Sequence, residues 1–163
     1  MDKKASSTPS DPIERYTCFI SYAGADEDFA TLLHDRLQKE GVKVWFAPQD
    51  LKAGQKLHEQ IGEAILEQQK LLLILSPTSI TRPWVMTELR KARKAERKFS
   101  QRKLFPIRLA DFKTFTDWEC FDADEGIDLA VEVREYFIPD FSDWNDPKSF
   151  EAAFKKLLQD LRF

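Results

Sequence analysis

The chain has 163 residues, a third of them charged, and a formal net charge of −3. That length is one domain's worth and suffices for a two-sided core, while the nearly balanced charge gives no overall attraction to nucleic acid or to an anionic membrane. Two cysteines and two histidines, widely scattered, offer neither a disulfide framework nor a metal site, and they fit a cytoplasmic setting with reduced thiols.

Met1 to Pro12 is polar, rich in Ser and Pro, and lacks the apolar stretch of a secretory signal, so residues 1–14 read as a tail and 15–163 as one domain. No run approaches the ~20 apolar residues of a membrane span, and no membrane partner is expected.

Tyr16 to Ile20 reads as a first strand and Ser21 to Ala25 as the loop behind it. Asp26, Glu27 and Asp28 suit the positive end of a helix dipole, Phe29, Leu32, Leu33 and Leu37 form the stripe of that helix, and Gly41 ends it. Val42 to Phe46 is a second strand and Ala47 to Gln55 its loop; Leu57, Ile61, Ala64 and Ile65 repeat with helical period. Leu71 to Leu75 is an unbroken apolar run, too short for a helix and typical of a parallel strand covered on both faces. Pro83 suits the first position of the next helix, which runs to about Lys98. Leu104 to Leu109 is a fourth strand whose Pro106 argues for a sheet edge or a bulge. Ile127 to Tyr136 reads as a short helix, Phe137 to Phe141 as a fifth strand interrupted by Pro139, and Pro147 to Leu161 as an amphipathic helix. The alternation of strand and helix favours an α/β sheet with parallel strands and right-handed crossovers.

In such a sheet, ligands bind outside the carboxyl ends of the strands, where strand order reverses. That rule selects three loops: Ser21 to Ala25, Ala47 to Gln55, and Ser76 to Arg82. Trp84 and Glu88, on the helix leaving the third loop, stand at i and i+4 on one face. That arrangement suits a flat aromatic ligand held beside a negative charge. The apolar neighbours Val85, Leu89 and Ala92 lead us to expect partial burial of Glu88. His34 and His58, among charged residues on helices, are read as solvated.

Cys18-Phe19-Ile20-Ser21-Tyr22, Val44-Trp45-Phe46 followed by Asp50-Leu51-Lys52-Ala53-Gly54, and Leu75-Ser76-Pro77 with Trp84 and Glu88 resemble the three signature boxes of the Toll/interleukin-1 receptor (TIR) domain family. Three boxes in order are far more specific than any one. The resemblance spans roughly Tyr16 to Leu161 and implies a flavodoxin-like three-layer sandwich, with a five-stranded parallel sheet in the order 2-1-3-4-5 and helices on both faces. Many members cleave the nicotinamide-ribose bond of NAD, releasing nicotinamide and ADP-ribose or a cyclic isomer; animal receptor and adaptor members are scaffolds that assemble through the loop after the second strand, the BB loop.

By this resemblance Glu88 is the catalytic acid, NAD is a substrate and not a retained cofactor, and Ser21, Tyr22, Ala23 and Gly24 in the first loop, with Phe46, Lys52 and Lys56 around the BB loop, contact NAD. Trp84 supports Glu88 and the pocket wall. The chain departs from cleaving members at Ala47, where an aspartate commonly follows the second strand, and at Ala23-Gly24, which replace larger or basic residues. The competing expectation is a non-enzymatic module that recruits other TIR domains.

Charge is unevenly spread: residues 90–103 carry eight bases against one acid, and residues 111–135 nine acids against two bases. Solvated surfaces are the plain reading. The sharper one is head-to-tail self-association, the basic helix of one copy meeting the acidic segment of another. Nucleic acid is not expected as a partner, since the basic helix has only Phe99 for stacking.

Overall fold

A computed structural model describes residues 18–48 and 69–161. In chain order these form β1 (Cys18–Tyr22), α1 (Glu27–Lys39), β2 (Val44–Pro48), β3 (Lys70–Leu75), α2 (Pro83–Phe99), β4 (Leu104–Arg108), α3 (Phe112–Asp117), β5 (Phe121–Asp122), β6 (Ile127–Asp128), α4 (Leu129–Val133) and α5 (Pro147–Leu161). The four long strands make one parallel sheet in the order β2-β1-β3-β4, and β5 and β6 pair as a small antiparallel ribbon. Cys18 lies opposite Val44 on one side and Lys70 on the other, and Leu71 lies opposite Leu104.

Side chains alternate across a strand, and each face of this sheet carries its own core. Cys18, Ile20, Tyr22, Val44, Leu72 and Ile74 pack with Phe29, Leu33 and Leu37 of α1 and with Phe150, Phe154 and Leu157 of α5. Phe19, Leu71, Leu73 and Leu75 pack with Val85, Leu89, Ala92 and Ala95 of α2, Phe115 of α3 and Leu129 and Val133 of α4. The result is three layers. Leu71 to Leu75 are all 0% exposed, the outcome expected of a strand covered on both faces. Each such leucine contributes about 1.5–3 kcal/mol by leaving water.

Local signals explain where the elements stop. Gly41 takes φ +87°, the Gly41 N–H donates to Gln38 O and the Val42 N–H to Leu37 O, which closes α1 with a Schellman motif. Pro83 occupies the first turn of α2, behind an extended Arg82.

Several sequence expectations are corrected. β1 and β2 each run two residues further than read: Ser21 and Tyr22 belong to the strand, and the following turn is a single 3-10 turn, Gly24–Asp26. The expected helix over Ile127 to Tyr136 is split into β6 and a five-residue α4. The fifth strand is reduced to a single parallel bridge between Arg108 and Asp140. Pro139 has no N–H to donate, so pairing there is limited to Arg108 N–H to Pro139 O (3.2 Å) and Phe141 N–H to Arg108 O (2.8 Å). His34 is no free surface group: its ring stacks on Phe46 at 4.4 Å and contacts Asp35. The BB loop beyond Pro48, the helix expected over Leu57 to Ile65, and His58 lie outside the described residues.

The charge segments also find each other within one chain. Arg90 donates to both carboxylate oxygens of Asp122 (2.8 and 2.6 Å), and Arg93 pairs with Glu132. The basic helix α2 therefore lies against the acidic segment of its own domain, and these particular charges are already matched.

Candidate active site

The reversal of strand order falls between β1 and β3, so the loops after these two strands are neighbours at the carboxyl end of the sheet. They are tied together. The Ser76 Oγ–H donates to Asp26 Oδ2 across fifty residues of sequence at 2.5 Å. Ser76 and Ser79 then lock the turn: the Ser76 N–H donates to Ser79 Oγ (2.8 Å), the Ser79 N–H to Ser76 Oγ (3.0 Å), and the Ser79 hydroxyl to Ile74 O (2.7 Å). Ser76-Pro77 is thus more than a turn signal. From Ser79 the chain passes through one 3-10 turn, Ser79–Thr81, and enters α2 at Pro83.

Glu88 sits on the sheet-facing side of α2 with Val85, Leu89 and Ala92, and is 0% exposed. Burial is complete, where only partial burial was expected. Among the described residues, neither Oε1 nor Oε2 has a hydrogen-bond partner. A buried carboxylate with no donor is costly when ionised. Burial accordingly pushes its pKa from 4.5 up to about 7, with Lys91 opposing the rise. One turn earlier, the half-buried Trp84 buries its indole Nε1, which likewise finds no acceptor among the described residues. An unused donor and two unused acceptor oxygens thus sit on one face of α2, beside the loop at the switch point. Most buried polar groups in folded proteins are satisfied, so groups left open at a predicted ligand site point to a ligand that completes them.

The other residues named from the sequence are distributed differently. Ser21 is fully buried in β1, and by alternation its side chain shares the face of Phe19, the face covered by α2. Tyr22 and Phe46 lie on the opposite face, packed edge to face with ring centroids 5.7 Å apart and beside α1. Ala23 is buried and Gly24 is exposed at the tip. Lys52 and Lys56 fall outside the described residues. The structure therefore gathers Glu88, Trp84 and Ser21 on one side of the sheet and sets Tyr22 and Phe46 on the other, with the strand tips between them.

Sequence reasoning missed the part played by Asp26, read only as an acid at a helix start. Its side chain makes no capping bond to α1. The cue for its partner was the Ser76/Ser79 pair, spaced to bond reciprocally. Among the described residues no group of three or more His, Cys, Asp or Glu is placed to hold a metal, and no helix is long and apolar enough to cross a membrane.

Comparison with known proteins agrees with this architecture. Residues 18–158 match the sequence model of the TIR domain, and the chain belongs to the TIR domain family. It is similar to a 2′ cyclic ADP-D-ribose synthase of Acinetobacter baumannii, 36% identical over 75 residues, covering 45% of this chain and 28% of that protein. It is similar also to a 2′ cyclic ADP-D-ribose synthase of Bacteroides thetaiotaomicron, 30% identical over 80 residues (48% and 28%), and to the NAD(+) hydrolase TcpC of Escherichia coli, 33% identical over 75 residues (45% and 24%). The chain thus matches less than a third of the length of these relatives. Among solved structures, the TIR domains of the activated Roq1 resistosome superpose with a TM-score of 0.59 at 17% identity, covering 90% of this chain and 99% of that one, a likeness of fold.

Proposed function

We propose that this domain cleaves the nicotinamide-ribose bond of NAD, with Glu88 as the catalytic carboxylate. The observation that carries the reading is the complete burial of Glu88 with both oxygens unpartnered at the strand-order switch. The relatives named as 2′ cyclic ADP-D-ribose synthases and as an NAD(+) hydrolase support NAD as the substrate class.

The chemistry suits a single acid. Ordinary glycosidases use two carboxylates because an alcohol leaving group needs a proton as it departs. Nicotinamide does not. When the C1′–N bond breaks, its electron pair returns to a pyridinium nitrogen and a neutral molecule leaves. Positive charge builds on the ribose, and a carboxylate in a water-poor site stabilises it strongly, because little solvent screens the attraction. A cationic substrate also answers the cost of the buried acid: a positive ring beside Glu88 favours the ionised form that burial disfavours. In the second step water adds at C1′ and gives up a proton, which a carboxylate with a pKa of about 7 can accept. If a hydroxyl of the same ADP-ribose attacks instead, the product is cyclic.

Incubation of concentrated protein with NAD, followed by chromatography of nicotinamide and mass spectrometry of the remainder, tests the reading. Wild-type protein is expected to release nicotinamide, and Glu88→Gln to release almost none. Product that survives both Glu88→Gln and Glu88→Ala rejects Glu88, and no product at any concentration assigns the domain to scaffolding.

A further inference from the structure

We propose that Asp26 is a positioning residue for the reaction, acting through Ser76 to hold the start of α2 against the loop after β1, so that Glu88 meets a substrate seated at the strand tips. This rests on the catalytic reading of Glu88.

Two observations carry it. The first is the bond itself: a charge-assisted hydrogen bond of 2.5 Å from the Ser76 hydroxyl to Asp26, joining the loop after β3 to the turn after β1. The second is what Asp26 forgoes. It stands at the N-cap of α1, where an aspartate normally accepts a hydrogen bond from the first turn, yet its side chain makes no such bond. Asp111 and Asp128, at the N-caps of α3 and α4, do cap their helices, accepting from the Thr114 and Ala130 N–H groups. Asp26 thus departs from the rule its own chain follows elsewhere, and its carboxylate serves the neighbouring loop.

The path from Asp26 to Glu88 runs through four hydrogen bonds. Ser76 Oγ donates to Asp26 and accepts from the Ser79 N–H, Ser79 O accepts from the Arg82 N–H, and Arg82 O accepts from the Val85 N–H in the first turn of α2. Glu88 follows three residues later on the same buried face as Val85. Loss of the Asp26 contact frees this turn to shift, and small displacements of a catalytic group reduce turnover steeply.

The test compares wild type with Ser76→Ala, Asp26→Ala, the double variant and Asp26→Asn, which keeps an acceptor for the Ser76 hydroxyl. Two quantities are read: kcat for nicotinamide release, and the titration of the Glu88 carboxyl by carbon NMR. Each Ala variant is expected to lose about tenfold in kcat with little change in KM, and the double variant about as much as the worse single one, because the Asp26–Ser76 bond is lost in all three. The Glu88 midpoint should fall from about 7 toward 4.5 as its seat loosens, and Asp26→Asn should restore most of both. Losses that multiply in the double variant, or a Glu88 titration unmoved by either Ala substitution, overturn the proposal. Should wild type release no nicotinamide, the catalytic reading fails, while the titration still decides whether Asp26 positions Glu88.

Discussion

Glu88 and Glu96 lie two turns apart on the same helix and could hardly be treated more differently. Glu96 accepts from the Lys103 and Leu104 N–H groups through Oε2 (both 2.9 Å) and from the Tyr136 hydroxyl through Oε1 (2.5 Å), with Arg93 nearby. Glu88 is more deeply buried and, among the described residues, accepts from nothing. The lower half of α2 is bolted to β4 and to the segment after α4; the upper half holds an acid in reserve. A carboxylate whose hydrogen bonds are all supplied by its own chain is a structural part. One left open in a buried position is the group we propose for the chemistry of the substrate.

The sharpest way to break this contrast is chemical. Glu88→Gln should lower nicotinamide release by about 10²–10³-fold, the range for losing one electrostatic group at a developing charge, without lowering the melting temperature. Stability against pH sharpens it next. Because the folded pKa of Glu88 is raised from 4.5 to about 7, the folded protein holds this proton more tightly than the unfolded chain. Relative to Glu88→Gln, the wild type should lose about 3 kcal/mol as pH rises through that window, read by urea unfolding at pH 4 and pH 8. In the same range kcat/KM should climb with pH as the free carboxyl ionises.

The structural half of the helix should answer in the opposite currency. Glu96→Ala strands two backbone N–H groups and a half-buried hydroxyl and should cost about 2–3 kcal/mol of stability, with turnover per folded molecule nearly unchanged. Tyr136→Phe removes one hydroxyl from the same network and should cost about 1 kcal/mol. If Glu96→Ala instead abolishes turnover in protein that melts normally, the division of α2 into two halves is wrong.

The frame of the molecule was legible because its signals are local. The leucine run of β3, Gly41 behind α1 and Pro83 at the head of α2 each state a structure within a few residues. The strand ends were less legible: Ser21 looks like a loop residue, yet it is buried in β1. Beyond β4 the proline-interrupted strand shrinks to one bridge, because sequence pattern does not show how far a strand broken by Pro139 can pair. At the site, the spacing of Trp84 and Glu88 read as one face of a helix, and both lie on α2. That both its oxygens are unpartnered, that Asp26 turns away from its own helix, and that Arg90 meets Asp122 are facts of long-range placement. No periodicity carries them.

The outer border of β4 has a further consequence. Of its outward polar groups, the Leu104 N–H goes to Glu96, the Leu104 carbonyl accepts from Arg102, Pro106 has no N–H, and both main-chain groups of Arg108 are engaged by residues 139 and 141. A foreign strand approaching this side finds scarcely anything to zip onto. The domain is thereby guarded against runaway sheet extension on that flank, and copies that gather there are left to do so through helices and loops, contacts that can be undone.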